Sequence, residues 1–356
     1  MEFLEALIKV SEKAANIARV IRQEEHLFEL LVQQKDASEA NPRFLDDFKT
    51  LADVLIQEMV RHDIGSKFPG IKERIRGEES NVFCNKLGET ITVEIKNDVE
   101  HTSELLEIVL NGDKKAANIL AEEVHKTISL DDINTISCSE SFSVNVDNLG
   151  VWIDPIDSTA EYINAVDRKQ DDISVSGLHC VTILIGAYDL ETGEPVIGVI
   201  NQPFLTVNES RWRGECFWGV CTNSTKISSL TIPRTRTNTA CLSSTEDEEI
   251  KQKLKEKNYS LIEAAGAGYK ILTVIKGHAD CYVLTKNSTF KWDTCGPQAI
   301  LRALGGDIVT YNELVKKNIV SLVYPGDTGS GTNNNCNEGG LFTFVDPEIL
   351  NDFLEF

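Results

Sequence analysis

The segment from Gly150 to Tyr162 limits what this chain can fold into more than any other. Val151, Trp152 and Ile153 are β-branched or aromatic and predict a buried strand. Pro155 cannot continue a central ladder, so the strand has to stop near Asp154. Ser158 and Thr159, followed by Ala160 and Glu161, predict a helix start. Two carboxylates, Asp154 and Asp157, thus flank a strand-to-helix turn whose Ser158 and Thr159 amides open a helix, where phosphates are readily bound. Acids beside anion-binding amides repel a phosphate unless a cation lies between them, and hard oxygen ligands suit Mg²⁺. Taken alone, such an Asp-x-x-Asp pair reads first as a surface Asp-Pro turn with a Ser/Thr cap.

A chain of 356 residues buries one large core or two adjoining ones. Its net charge of −21 argues against nucleic-acid partners and anionic membranes. The nine cysteines are odd in number, lack C-x-x-C spacing and lie largely in apolar runs. They read as buried free thiols of a reducing compartment, not as a zinc site or a disulfide framework. No basic start followed by an apolar run opens the chain, and no stretch approaches eighteen apolar residues. The expectation is a cytoplasmic protein with no membrane segment.

Leu4, Leu7, Ile8, Ile17, Val20, Ile21, Leu27 and Leu30 recur at helical spacing, and a polar, disordered-looking stretch follows from Lys35 to Pro42. Over 48–60, Leu51, Leu55, Ile56, Met59 and Val60 predict the apolar face of a helix. Asp53 falls off that face in the early turns, where an exposed acid favours the helix dipole. Ile71 to Arg76 reads as a strand ended by Gly77, with Glu78 and Glu79 just beyond it as a second acidic pair. Residues 84–149 read as an insertion with one strand near Thr90 and helices at Glu104 to Leu110 and Lys114 to Val124. Apolar runs at Cys180, Pro195 and Cys216 predict antiparallel strands. From Ala240 onward strands and helices alternate. Gly266 and Gly268 open a helix carrying Lys270, a helix over Thr294 to Leu304 stops at Gly305 and Gly306, and Thr328 to Gly340 reads as a flexible loop. The order predicts an antiparallel α+β half joined to an α/β half.

Asp53, then Gly77-Glu78-Glu79-Ser80, then Asp154-Pro155-Ile156-Asp157-Ser158-Thr159, then Lys291-Trp292-Asp293 before a helix ending at Gly305 occur in that order. This pattern resembles the lithium-inhibited, Mg²⁺-dependent phosphomonoesterases of the inositol monophosphatase type. The likeness runs over nearly the whole chain. The long 84–149 insertion, Ser in place of Gly at 158, and the Ala264 to Lys270 glycine turn resemble the branch that acts on inositol polyphosphates. The resemblance implies a layered αβαβα fold, with a metal-binding domain over 1–235 and a substrate-recognition domain over 236–356.

By the same resemblance, Glu78, Asp154, Asp157, Asp293 and the Ile156 carbonyl hold two or three Mg²⁺ ions, and Li⁺ inhibits. Asp53 and Thr159 take the proton of an attacking water, with Glu79 assisting and no phosphoenzyme. The Ser158 and Thr159 amides grip the departing phosphate beside Asp157 and Asp293. Gly266, Lys270 and, more weakly, Thr245 belong to substrate recognition, while Lys291 reads as structural. Independent chemistry agrees in outline: a phosphate monoester carries about two negative charges near neutral pH, and several carboxylates are needed to hold enough divalent cation to offset them. The expected substrate is a small inositol phosphate cleaved at its 1-phosphate, and the expected state is a monomer. The alternatives are a 3′(2′),5′-bisphosphate nucleotidase of the same family and a non-catalytic inositol-phosphate sensor. A calcium-binding structural protein finds no support, because no twelve-residue calcium loop is present.

Overall fold

The computed structural model describes residues 1–23, 32–34, 48–84, 87–231, 235–325 and 335–354. The helical positions Leu27 and Leu30, the polar stretch Lys35 to Pro42 and the Thr328 to Asn334 part of the predicted loop lie outside the described residues.

Six strands form the larger sheet: β1 (Ile75–Gly77), β2 (Leu149–Asp157), β3 (Thr182–Asp189), β4 (Pro195–Asn208), β5 (Arg211–Cys221) and β6 (Lys226–Ser228). They lie side by side in chain order, antiparallel throughout except that β1 runs parallel to β2. A second sheet holds β7 (Thr239–Leu242), β8 (Ser260–Glu263), β9 (Cys281–Leu284), β10 (Asp307–Thr310) and β11 (Leu341–Phe344) in the order β8-β7-β9-β11-β10. Here β7 is parallel to β8 and β9, while β11 is antiparallel to both of its neighbours.

Strand alternation sorts the side chains into layers. Val151, Ile153, Ile183, Ile185 and Val199 face the helices Glu2–Gln23 and Leu51–Lys67. The residues between them, Trp152, Leu184 and Ile200, turn the other way and pack with Ile271 and Ile300 of the helices Ala267–Ile275 and Lys291–Leu304, and with Cys241 and Tyr282 of the second sheet. That sheet's opposite face, Leu242, Val283 and Phe342, is covered by Ile250, Leu254 and Phe353 of the helices Glu248–Glu256 and Leu350–Phe353. The result is five layers, helix–sheet–helix–sheet–helix.

The Lys291–Leu304 helix sits unusually close to the larger sheet because a row of glycines lets it. Gly186, Gly198 and Gly219 lie opposite one another on β3, β4 and β5. A Cβ on Gly198 would fall 1.9 Å from the Gly296 carbonyl oxygen, and one on Gly219 would fall 2.7 Å from Ile300 Cα. The helix stops as predicted at Gly305, whose φ is +99°.

Four expectations need correction. The strand expected to stop near Asp154 runs on through Pro155 to Asp157, because a register shift against β3 takes the proline out of the ladder. Ile71 to Arg76 is not a strand: Pro69 starts a tight 3-10 turn over Pro69–Arg74, and pairing begins only at Ile75. Asp53 is not an exposed dipole partner; it is buried at the third position of a helix capped by Thr50. The residues Asn335 to Gly340 do not float as loop. Asn337 is buried, and its amide donates to the Phe290 carbonyl at 2.9 Å and to Thr294 Oγ1 at 3.1 Å.

Candidate active site

Strand β2 ends in the acid pair of the central segment. Its register with β3 shifts between Asp154 and Asp157, where Pro155 and Ile156 interrupt the ladder. Both carboxylates therefore point to one side of the strand end. Asp293 joins them from the first turn of the Lys291–Leu304 helix, where its Oδ2 accepts the Phe290 N–H at 2.6 Å. One carboxylate oxygen from each of Asp154, Asp157 and Asp293 lies within 4.8 Å of the others, and all three residues are buried. Glu78, at the end of β1, faces the same space, held by its backbone N–H on the Ile153 carbonyl at 3.2 Å.

The electrostatics follow from that crowding. Burial, reinforced by Glu78, Asp157 and Asp293, holds the Asp154 carboxyl well above the usual carboxylate range. Burial and then Asp157 and Glu78 do the same to Asp293. Asp157 is raised by burial too, against the pull of the Lys270 ammonium and of hydrogen bonds from Thr182 and the Gly268 N–H. Those bonds are 3.0 Å each and, with the Ala267 N–H at 3.3 Å, dock Asp157 onto the start of the Ala267–Ile275 helix. Asp154 Oδ1 is buried without a hydrogen-bond partner among the described residues. Three buried acids around an unpaired carboxylate oxygen are costly as they stand, and a hard divalent cation is the partner that this donor set fits.

A cavity of about 1500 Å³ opens over the acids, lined among others by Ile156, Ser158, Thr159, Thr245, Gly266 and Lys270. Ser158 adopts φ +76°, and Thr159 starts a six-residue helix, Thr159–Asn164. Thr159 Oγ1 donates to the Ile156 carbonyl at 3.2 Å, so its lone pairs stay open to accept from a water. Lys270 is buried, its Nζ donating to the Ala264 carbonyl at 3.0 Å and lying 5.2 Å from the Tyr282 ring centre. Burial lowers its pKa, with Asp157 opposing. Thr245 sits on the cavity's exposed side, its hydroxyl 3.1 Å from Ser243 Oγ.

Gly266 lines the cavity and also serves the packing beneath it. Its φ is +74°, and a Cβ there would lie 2.9 Å from the Cys180 carbonyl oxygen and 3.0 Å from Asp157 Oδ2. Gly268 is similarly closed off by Thr182 and Leu184. Both glycines let the chain press against itself where Asp157 is anchored.

Asp53 and Glu79 are buried but do not line the cavity. Asp53 Oδ2 takes the Thr50 N–H and hydroxyl, both at 2.6 Å. Its charge helps to raise the buried Tyr162 phenol, after burial itself, so Asp53 lies near the Thr159–Asn164 helix. Lys291 is buried above the Trp152 ring, 5.8 Å from its centre.

Sequence reasoning passed over Thr182, Gln57 and Asn337, each of which orients a candidate residue or its helix. Gln57 stands one helical turn after Asp53, the only pointer the sequence offered. Thr182 and Asn337 carried none, because their partners are remote in the chain.

The inositol monophosphatase family model matches residues 80–339. The inositol polyphosphate 1-phosphatases of Mus musculus and Homo sapiens are 43% and 42% identical, each over 99% of this chain and 96% of their own length. The 3′(2′),5′-bisphosphate nucleotidase 1 of Mus musculus is 27% identical over 89% of this chain and 87% of its own. Among solved structures, a Thermotoga maritima IMPase aligns with a TM-score of 0.52 at 14% identity, covering 100% of this chain and 98% of its own. An IMPase/NADP phosphatase complexed with Mg²⁺ and phosphate aligns at 0.53 and 12% identity, over 95% of this chain and 90% of its own. With a five-layer fold, a buried triad of aspartates and relatives matched from end to end, the chain belongs to the inositol monophosphatase family and is a phosphoric monoester hydrolase.

Proposed function

We propose that the chain is a Mg²⁺-dependent, lithium-inhibited phosphatase that removes the 1-phosphate of inositol 1,4-bisphosphate and inositol 1,3,4-trisphosphate. The observation that carries this reading is one cavity sharing Glu78, Asp154, Asp157 and Asp293 with the buried Lys270 ammonium. The names of the full-length relatives support the same choice.

In this reading Glu78, Asp154, Asp157 and Asp293, with the Ile156 carbonyl, hold two or three Mg²⁺ ions. When bound, they supply charge neutralisation of the ester and a more acidic water. The chain's own groups do the positioning. Thr159, whose proton is engaged by Ile156, accepts from the attacking water and aims it. As Thr159 takes the water's proton, its own hydroxyl proton leaves the Ile156 carbonyl and is passed towards Asp53, which is hydrogen-bonded by Thr50 at the start of its helix, with Glu79 assisting. The Ser158 and Thr159 amides receive the phosphate as it departs. Lys270 meets a second phosphate of the substrate, and Thr245 adds a weaker contact at the cavity's open side. Residues 1–235 then act mainly as the metal-holding part and 236–356 as the recognition part, although one apolar cluster joins them.

No helix among the described residues is long and apolar enough to cross a membrane. All nine cysteines are free thiols. A reducing, cytoplasmic setting and a monomer fit this reading.

The test is phosphate release from inositol 1,4-bisphosphate and from adenosine 3′,5′-bisphosphate at equal concentration, with Mg²⁺ titrated and Li⁺ present or absent. Faster Mg²⁺-dependent, Li⁺-suppressed release from the inositol substrate is expected. Faster release from the nucleotide selects the nucleotidase, and no release at any Mg²⁺ level ends the catalytic reading.

A further inference from the structure

Gln57 lies outside the cavity lining, yet its side chain is buried and hydrogen-bonded through both its amide nitrogen and its amide oxygen. It is 2% exposed and grips one residue from both sides. Gln57 Nε2 donates to the Glu79 carbonyl at 2.5 Å, and the Glu79 N–H donates to Gln57 Oε1 at 3.0 Å. An amide side chain that matches the donor and acceptor of one backbone unit fixes both its position and its orientation. The chain has cleared space for this contact. A Cβ on Gly77 would lie 2.0 Å from Gln57 Oε1 and 2.7 Å from Gln57 Cδ, so only glycine admits the clamp there. The parallel pairing of Gly77 with Ile153 and the Glu78 N–H on the Ile153 carbonyl hold the same segment from the other side.

These contacts bracket Glu78. One side is tied to β2 at Ile153, the residue just before the Asp154–Asp157 bend, and the other is tied to the Leu51–Lys67 helix. Glu78 itself is only half-buried and adds its charge to Asp154 and Asp293. Such a group swings away from its fellow acids unless its backbone is held. Asp53 and Gln57 are separated by one turn, so the helix that carries the proposed proton acceptor also carries the clamp.

We infer that Gln57 is a positioning residue for divalent-cation binding: it aims Glu78 at the Asp154–Asp157–Asp293 cluster by locking the Glu79 peptide, with Gly77 as the gap it needs. This rests on the proposed ligand role of Glu78. Outer partners that orient a ligand typically change metal affinity by about 10- to 100-fold when removed.

The experiment titrates Mg²⁺ into the substrate-free full chain by calorimetry, for the wild type, Gln57→Met and Asp154→Asn, with melting of each metal-free protein alongside. Gln57→Met keeps the length and loses both hydrogen bonds. Weakening of Mg²⁺ by about tenfold in Gln57→Met is expected. Wild-type affinity in Gln57→Met together with loss in Asp154→Asn would overturn the inference and leave the proposed site standing. Unchanged affinity in both variants would overturn the site as well. A double-variant cycle separates positioning from loss of folding. Gly77→Ala should weaken Mg²⁺ by about tenfold in the wild type and by clearly less in Gln57→Ala, where only the 3.0 Å approach of the new Cβ to the Ile153 carbonyl remains. Equal effects of Gly77→Ala in both backgrounds would mean that Gly77 and Gln57 act independently, and the inference fails.

Discussion

Asp154, Asp157 and Asp293 repel one another in a dry setting, and the chain bears that cost to keep three oxygens on one point. Burial and the neighbouring acids hold both Asp154 and Asp293 well above the usual carboxylate range, which favours a proton on the cluster when no cation is present. Asp154→Asn removes one of the crowded charges and keeps the side chain's shape. The metal-free variant should melt higher than the wild type, with a gain on the order of 1 kcal/mol, while turnover drops on the order of a thousandfold because several kcal/mol of charge stabilisation are lost. Thermal melts in chelator and a phosphate-release assay check both halves. A lower melting temperature would mean that the three acids are not in conflict. At this scale the sequence revealed the residue types but not their state: nothing in Asp-x-x-Asp says whether the turn is wet or buried.

Helices and strands carry a different kind of information. The Val99–Val109 and Lys114–His125 helices of the insertion pack as a pair, and Thr102 Oγ1 lies 2.8 Å from His125 Nε2 between them. Burial, then the charges of His62 and Lys13, lower the His125 pKa from 6.5. Its folded form is therefore neutral where the unfolded form is already charged. That contribution to stability is present above about pH 6.5 and is lost as the pH falls below it, because the unfolded chain then binds the extra proton. His125→Gln should accordingly flatten the fall in melting temperature between pH 7.5 and pH 5.5 (roughly one unit either side of the reference value). An unchanged slope would remove His125 from the account. The same helices show what periodicity can do. Their existence was legible from Leu106, Leu120 and Val124, and so was the start of the second at Lys114, whereas the first starts at Val99 and not at Glu104, because Asp98 caps it through a side-chain bond that hydrophobic spacing does not register.

Across the whole molecule, the two sheets share a core. Trp152, Leu184, Ile200 and Phe217 from the first half pack with Ile271, Tyr282 and Ile300 from the second. Ile300 is fully buried, and its Cα lies where a Gly219 side chain would begin. Ile300→Ala should cost about 2–5 kcal/mol and shift one cooperative transition as a unit. Two separated transitions in calorimetry, with only one of them moved, would show instead that the halves fold independently.

The sequence by itself determined the period-2 strands, the helix stop at Gly305, and the order of the acidic motifs, because each follows from local sterics and side-chain alternation. Tertiary structure decided what no local rule contains. It carried Asp293 more than a hundred residues along the chain to Asp154, by way of a glycine row that lets a helix sink onto the sheet. It also turned Asp53 inward and closed Gln57 on Glu79, since a carboxylate or amide is equally at home in water until packing removes the water around it.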